Sequence, residues 1–339
     1  MKFSCLTAEF LSLNKYKLMP TILKIDEIKS LLKEVDIKTA MEIGFKAYSN
    51  GQSVVPPVGE LLFNNPPGDV HIKYGYIINN DYYVVKIASG FYENPSLGIS
   101  SSQGLMLLFK QQTGELAAIL LDEGYLTDIR TAAAGALAAK YFAPKIIESI
   151  GILGTGVQAK LQLVQLRNQT DCNRVWLWGR NPKKAEKLKN ELRPYFDIQI
   201  ATNPKEVALH SQLIVTTTPS ETPLLELEDL QPGTHITAVG SDTATKQELD
   251  GKILANADLV VVDSISQSVT RGEVFQAVKL GLLSPENLTE LGKAIQDTQL
   301  QRYSDDQLTV VDLTGVAVQD IMIAKSVLFK YHQTKNHGL

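Results

Sequence analysis

Apolar and polar positions along this chain follow two different rhythms. Between Val70 and Leu121 the segments VHIKYGYI, YYVVKIA, GLMLLFK and LAAILL alternate or run apolar, and Asn79-Asn80-Asp81 and Thr113-Gly114 supply turn residues between them. This pattern predicts strands over 70–78, 82–88, 104–110 and 116–121, antiparallel because their connections are short. Ahead of them the residues up to about Ser49 read as helical apart from a short strand over 21–25. Asp26 is the expected cap of a helix over 27–32, and Asp36 of a second helix through Ala47. Gly51 and Pro56-Pro57 close that region.

From Thr127 the rhythm changes. TDIRTAAAGALAAKYF, ending at Phe142, reads as an alanine-rich helix with Thr127 as its cap and Pro144 beyond its end. Short apolar runs then alternate with helical segments such as 160–167 and 185–192. Strands are expected at SIGIL, RVWLW (174–178), 198–201, 212–216, 235–239, 259–262 and 308–313, the signature of buried parallel strands joined by crossovers. A break at Gly315 precedes a helix over 316–331, which can pack back on the first part, and the polar tail 333–339 is expected to fray. The expected fold class is therefore α/β. A Rossmann-type, doubly wound parallel sheet domain occupies 127–313, with a discontinuous α+β substrate-binding and dimerisation domain over 1–126 and 314–339.

The first parallel strand runs into SIGILGTGVQA (Ser149–Ala159), a G-x-G-x-x-A dinucleotide fingerprint. Gly154 permits the tight turn, Gly156 lets the backbone approach a pyrophosphate, and Ala159 lets the following helix pack closely. Gly154, Thr155, Gly156, Val157 and Gln158 thus form the expected cradle, at the positive end of a helix. Where the second strand ends, an NAD site needs an acid for the ribose 2′-hydroxyl, but Gly179-Arg180-Asn181 stands there. A cation suits a 2′-phosphate, so NADP(H) is favoured and NAD(H) possible; the alternative is that Arg180 merely faces solvent. Ligands of such sheets bind beyond the carboxyl ends of the strands, which adds Thr216, Thr217, Thr218, Val239 and Ser241 to the cofactor side. Asp242 falls where nicotinamide and substrate meet, or else caps a helix.

Three cations stand out. Lys86 shares a strand face with Val84 and Ala88, and Lys73 with His71; a mid-strand lysine is expensive to bury without an anion, though both strands can have one wet face. Arg130 lies in what reads as the first turn of its helix, where the dipole disfavours a cation, so it either serves an anion or is exposed.

Composition narrows this little further. The chain has 339 residues, 44% of them hydrophobic and 21% charged, enough for two cored domains. A formal charge of −4 without any basic block gives no sign of nucleic-acid or membrane-surface partners. Cys5 and Cys172 cannot build a bridge framework, and with no leader pattern or bilayer-length apolar run they point to the cytoplasm. No metal is expected, since the histidines show no ligand spacing, and no G-x-S-x-G elbow signals nucleophilic catalysis.

Taken in order, LDEGYLTDIRTAAAGALAA, GILGTGVQA, AVGSDTATKQEL and VDLTGVAVQD resemble the ornithine cyclodeaminase/mu-crystallin family over nearly the whole chain. The resemblance implies a homodimer formed through the β-rich domain and NAD(P)-linked chemistry at the α-carbon of a small amino or imino acid. It implies that Lys86 and Arg130 bind the substrate carboxylate, that Asp242 is the catalytic acid, and that Gly154, Gly156 and Gln158 belong to the pyrophosphate loop. Gly315 joins the substrate side, and the charge and strand position of Lys73 make it the expected ligand of a second carboxylate on the substrate. The chain departs from ornithine cyclodeaminases in having Val58-Gly59-Glu60 where they carry an arginine, and Lys73 near their glutamate. A carboxylate ligand lost and a charge reversed argue against a substrate with a distal ammonium group. VHIKYGY and NPSLGISSSQGLM look closer to the imino-acid reductase and ectoine-utilisation branches, and mu-crystallin-like ketimine reductases share an arginine at the end of the second strand. The expected activity is NAD(P)H-dependent reduction of a small 2-imino acid, reversible as an amino-acid dehydrogenase. The alternatives are a cyclodeaminase with bound NAD, and a non-catalytic NADPH-binding protein.

Overall fold

The computed structural model describes residues 19–91 and 93–336. The helical expectation before residue 19, Cys5 and the last three residues of the chain lie outside that range.

The first sheet contains β1 (Thr21–Lys24), β2 (Ser53–Val54), β3 (Gly59–Asn64), β4 (Pro67–Ile77), β5 (Tyr82–Phe91), β6 (Ser102–Lys110) and β7 (Leu116–Leu121). Their order is β1-β7-β6-β5-β4-β2, with β3 also on β4. The meander β4 to β7 is antiparallel, with short turns after β4 and β6 and a longer connection between Phe91 and Ser102, while β1 joins β7 in parallel and makes the sheet mixed. β2 and β3 were not foreseen; β2 is too short and β3 too lacking in alternation to give a period-two signal. Alternation along β5 sends Val84 and Lys86 inward and leaves Tyr83, Val85 and Ile87 on the outer face. The inner face is covered by the C-terminal helix Ala317–Asn336, which packs on β4, β5 and β6, and α2 (Ile37–Ser49) packs on that helix and on β2.

The second sheet is parallel throughout. It contains β8 (Ile150–Leu153), β9 (Arg174–Trp178), β10 (Asp197–Ile200), β11 (Leu213–Thr216), β12 (His235–Ala238), β13 (Leu259–Val262), β14 (Leu288–Glu290) and β15 (Thr309–Asp312). The order is β10-β9-β8-β11-β12-β15-β13-β14. The chain winds outward from β8 to β10, then crosses back to β11 on the other side of β8. That reversal opens a crevice at the carboxyl ends of β8 and β11, the place where such sheets bind ligands. β15 wedges between β12 and β13, so the chain returns to the middle of the sheet before entering the C-terminal helix.

Two helix starts differ from expectation. α1 (Ile25–Leu32) begins directly after β1 with Lys24 as its cap residue, whose N–H is bound by Glu27 at 3.1 Å, so Asp26 sits inside the first turn. α3 (Tyr125–Phe142) begins two residues before Thr127, after Gly124 at φ 83°, and its Leu126 N–H donates to the Asp122 carboxylate at 2.8 Å. Arg130 therefore lies in the second turn, and the dipole argument for it weakens. Asp36 does cap α2, accepting from Thr39 N–H at 3.1 Å. α3 is buried on nearly every side, Ala132 to Ala139 included, and packs on α2, on the C-terminal helix and on α4 (Val157–Leu166). Its small side chains are what allow one helix to serve both sheets: a Cβ on Gly135 would sit 2.0 Å from Gln162 Oε1.

Candidate active site

β8 delivers the glycine turn. Gly154 holds φ at 122°, its N–H donates to Trp178 O at 2.8 Å, and a Cβ there would lie 2.3 Å from Thr217 Oγ1. Gly156 is different: a Cβ would meet nothing within 4 Å, so its face is open at the start of α4, where backbone N–H groups are free of any side-chain cap. A cavity of about 380 Å³ lies over this turn, lined by Gly154, Thr155, Gly156, Arg180, Thr217 and Thr218, with Pro95 and Ser101 reaching in from the first domain. These residues fit a dinucleotide: an open glycine, a helix start and a cavity meet at the switch point. Arg180 is exposed at the rim.

Several expected cofactor ligands have their side chains engaged elsewhere. Gln158 Nε2 donates to Asp128 O at 3.1 Å and ties α4 to α3. Asn181 lines the cavity, but its side chain caps the helix Pro182–Leu192 by accepting from Lys183 N at 3.0 Å. Thr216 is buried and donates to Glu248 at 2.7 Å, Ser241 donates to Lys246 O at 2.8 Å, Val239 packs in the core, and Val157 is exposed beside the cavity. Each sits at the carboxyl end of a strand or in the first turn of α4, but alternation and loop geometry turn its side chain inward or away. Glu248 instead braces the cradle, accepting also from Thr218 N–H at 2.6 Å and Gly240 N–H at 3.0 Å. Burial raises its pKa to about 7 despite these bonds, and also raises that of Glu273, which accepts from Glu248 N–H at 2.7 Å, well above the usual carboxylate range. Neither carboxylate was identified from sequence, since each sits among polar neighbours in the chain and its burial is set by distant loops.

Across the crevice, β4 and β5 set Lys73 directly opposite Lys86. Like charges facing each other repel, so a counter-ion is required. It is Asp320, on the C-terminal helix: Lys86 Nζ lies 3.0 Å from both carboxylate oxygens and Arg130 Nε 3.1 Å from Oδ1, all three side chains being buried. Arg130 also donates to Gln319 Oε1 at 3.0 Å. Lys73 Nζ donates to Gly315 O at 2.6 Å and Thr314 O at 3.0 Å. Gly315, at φ 83°, lies against the cations, since a Cβ there would be 2.9 Å from Arg130 Nη1 and 3.1 Å from Lys73 Nζ. Asp263 fixes this loop, accepting from Gly315 N–H at 2.6 Å and Thr314 Oγ1 at 2.9 Å. Lys73, Lys86, Arg130 and Gly315 are thus brought together, and neither lysine faces water. Burial pulls Lys73 down to about 8 and Lys86 to about 7, with neighbouring cations adding to the effect.

Asp242 stands on the loop after β12. No helix starts there, which removes the capping alternative. Its carboxylate pairs with Lys246 Nζ at 2.6 Å. Burial alone would raise its pKa, but Lys246, with smaller contributions from His71 and Lys73, holds it far below the usual carboxylate range. Its backbone is linked through Arg271 to Glu60 of β3, so the loop that carries it lies against the first sheet. His71 Nε2 lies 2.8 Å from Glu60 Oε1, and Arg271 Nη1 lies 3.3 Å from Asp242 O and 3.7 Å from Glu60. Sequence reasoning missed Asp320, Gln319, Asp263 and Arg271, whose partners are distant in the chain. The crevice therefore presents buried cations on one wall and an ionised carboxylate on the other. That arrangement complements a small molecule carrying both an acid group and a positively charged nitrogen. Among the described residues no helix is long and apolar enough to cross a membrane.

Comparison with known proteins agrees with this geometry. The sequence profile of the ornithine cyclodeaminase/mu-crystallin family matches residues 18–335. The chain is 35% identical to an alanine dehydrogenase of Archaeoglobus fulgidus, over 94% of this chain and 96% of that one. The structure of an archaeal alanine dehydrogenase, a dimer with bound NAD, superposes with a TM-score of 0.85 at 32% identity, covering 93% and 97% of the two chains. The Delta(1)-pyrroline-2-carboxylate reductase of Thermococcus litoralis, solved with NADH and L-proline, gives a TM-score of 0.86 at 25% identity, covering 94% and 98%. The iminosuccinate reductase of Paracoccus denitrificans, solved with NAD+, gives 0.83 at 28% identity, covering 93% and 97%.

Proposed function

The chain belongs to the ornithine cyclodeaminase/mu-crystallin family, and from that premise we propose that it is an NAD(P)H-dependent reductase of small 2-imino acids, running in reverse as an amino-acid dehydrogenase. The observation that supports this reading is a carboxylate, Asp242, ion-paired with Lys246 on the loop after β12, together with the buried cations Lys73, Lys86 and Arg130 across the crevice.

Gly154, Thr155, Gly156, Thr217 and Thr218 are the residues that would hold the dinucleotide. When bound, the reduced nicotinamide supplies a hydride, which makes the imine carbon of the substrate an amine-bearing carbon. Arg130 and Lys73 bind the α-carboxylate through charge-assisted hydrogen bonds, and Lys86 adds its charge from behind; such contacts are worth roughly 1.5–3 kcal/mol each. They fix the reacting carbon over the carboxyl ends of β8 and β11. Asp242, because Lys246 keeps it ionised, does not donate a proton; it stabilises the protonated imine, the form that accepts hydride most readily. Asp320 keeps the cation wall assembled. It draws Lys86 and Arg130 together and holds a negative charge that a substrate ammonium cannot reach directly, since it is buried behind them.

NADP(H) is the preferred cofactor in this reading because Arg180 stands free at the cavity rim. The NAD and NADH in the solved relatives support the dinucleotide class. A homodimer follows from the outer face of the first sheet, where Tyr74, Val85, Leu107, Ile119 and Ile22 form one continuous apolar row. Its substrates and nicotinamide pool make the cytoplasm the compartment this reading requires.

The test is NADPH and NADH oxidation with keto acids plus ammonium, run beside ornithine without added reductant. Imine-dependent oxidation is expected. Proline and ammonia released from ornithine at enzyme-like rates would favour a cyclodeaminase, and cofactor binding with no turnover on any imino acid would favour a binding protein.

A further inference from the structure

Arg271 precedes the helix Gly272–Lys279 and reaches back to Asp242. Its side chain is 13% exposed, yet its hold on the protein is slight. Nη1 donates to Asp242 O at 3.3 Å and lies 3.7 Å from Glu60 Oε1, and among the described residues the buried Nε has no hydrogen-bond partner. Arg130 is a useful contrast, because its Nε and Nη1 are both bonded at about ideal distance. Glu60 faces Arg271 as a counter-charge but does not complete it, since 3.7 Å is beyond hydrogen-bond distance.

The backbone keeps Arg271 where it is. Gly272, at φ 88°, donates its N–H to Thr243 O at 3.2 Å, and a Cβ there would lie 2.7 Å from both Asp312 Oδ2 and Thr314 Cγ2. Arg271 is therefore anchored next to the Thr314-Gly315 loop whose carbonyls hold Lys73. A guanidinium carries a planar fork of donors matched to a carboxylate, and a buried donor left without an acceptor is a standing cost.

We infer that Arg271 reads the far end of the substrate, and that the preferred substrate is a short 2-imino acid bearing a second carboxylate. This rests on the reductase reading and deepens it. In that reading the α-carboxylate lies against Arg130 and Lys73, and the nitrogen against Asp242. The donors left over on the Asp242 side are those of Arg271. A second acid accepts from Nε and an Nη in parallel. A methyl group or an apolar ring leaves Nε buried and unpaired, and a distal ammonium is repelled. Because Arg271 touches the backbone of Asp242 itself, the second acid must sit within about one or two carbons of the imine carbon, a reach set by bond lengths of about 1.5 Å.

The experiment compares kcat/KM with oxaloacetate plus ammonium against pyruvate plus ammonium, for wild type, Arg271→Met and Arg271→Lys. L-Aspartate and L-alanine binding to the oxidised-cofactor complex is measured by calorimetry alongside. Wild type is expected to favour the dicarboxylic imine at least tenfold. R271M is expected to lose at least 100-fold on it, and at least tenfold in L-aspartate affinity, while changing less than fivefold on the monocarboxylic imine. R271K, which keeps the charge but not the fork, should lose about tenfold on the dicarboxylic imine alone, and it carries the test should R271M not fold. A uniform loss on both imines, or a wild type that prefers the monocarboxylic one, overturns the inference and leaves the reductase reading standing. Turnover of neither imine overturns that reading and the inference with it.

Discussion

Replacing Asp320 with asparagine keeps the shape of the buried cluster and removes the only anion bonded to it among the described residues, so the cost can be worked out group by group. Arg130 cannot give up its proton, and its Nε, 3.1 Å from Asp320 Oδ1, loses a charge-assisted bond worth roughly 1.5–3 kcal/mol. Lys86 behaves differently, because burial has already pulled its pKa down to about 7. A lysine whose folded pKa lies below the unfolded value of roughly 10.4 lowers stability in full below the folded pKa, and the penalty is relieved as pH rises between the two. Asp320→Asn drops the folded pKa further. The additional loss is therefore absent well above pH 7 and grows by about 1.4 kcal/mol for each pH unit below it, until the variant's own pKa is reached. The expected deficit is about 2 kcal/mol at pH 8.5 and about 3–4 kcal/mol at pH 6, in the range of about 3–5 kcal/mol for a buried pair broken from one side. Urea unfolding followed by circular dichroism at both pH values measures it. A deficit that is equal at the two pH values, or absent at both, would refute the assignment of Asp320 as the shared counter-ion.

Four other outcomes follow from the geometry. Asp242→Asn should lower kcat by roughly 100-fold or more with cofactor affinity within a factor of two, because a neutral amide cannot stabilise a positive imine nitrogen; steady-state rates and fluorescence titration with NADPH check both halves. Gly154→Ala should abolish dinucleotide binding in the same titration and destabilise the fold by roughly 1–3 kcal/mol, since it combines a φ of 122° with a contact of 2.3 Å to Thr217. Arg180→Asp should move the NADPH-to-NADH preference at least tenfold toward NADH, and an unchanged ratio of kcat/KM values would remove the 2′-phosphate role. Val85→Lys, in the middle of the apolar outer row, should give a monomer by analytical ultracentrifugation where wild type sediments as a dimer.

What could be read from sequence and what could not divides along one physical line. SIGILGTGVQA was legible because strand, turn and helix start are contiguous, and each glycine's job is local. The meander β4 to β7 was legible for a similar reason, from period two within each strand and from the short turns after β4 and β6. Asp320 was not, since its partners Lys86 and Arg130 lie 234 and 190 positions away, and helix periodicity alone cannot tell which wall a buried acid faces. The need for such an anion could be argued from Lys86; its address could not. Thr127 was a reasonable cap by residue type, but Gly124 in a left-handed conformation with Asp122 behind it starts the helix earlier, and no propensity scale ranks that combination. Thr216, Ser241 and Gln158 were assigned to the cofactor by their place at strand ends or in the turn. Their hydroxyl and amide groups answer instead to Glu248, to Lys246 O and to Asp128, partners that only the assembled loops define.

The position of β15 has a consequence for how the molecule is made. During synthesis from the ribosome, β12 and β13 emerge with a gap between them that is filled only when residues 309–312 arrive. The helix that follows brings the acid that calms the opposed lysines of the other half. Neither half can therefore finish on its own schedule, and a message truncated before this stretch would yield two unfinished sheets rather than one sound domain and one lost.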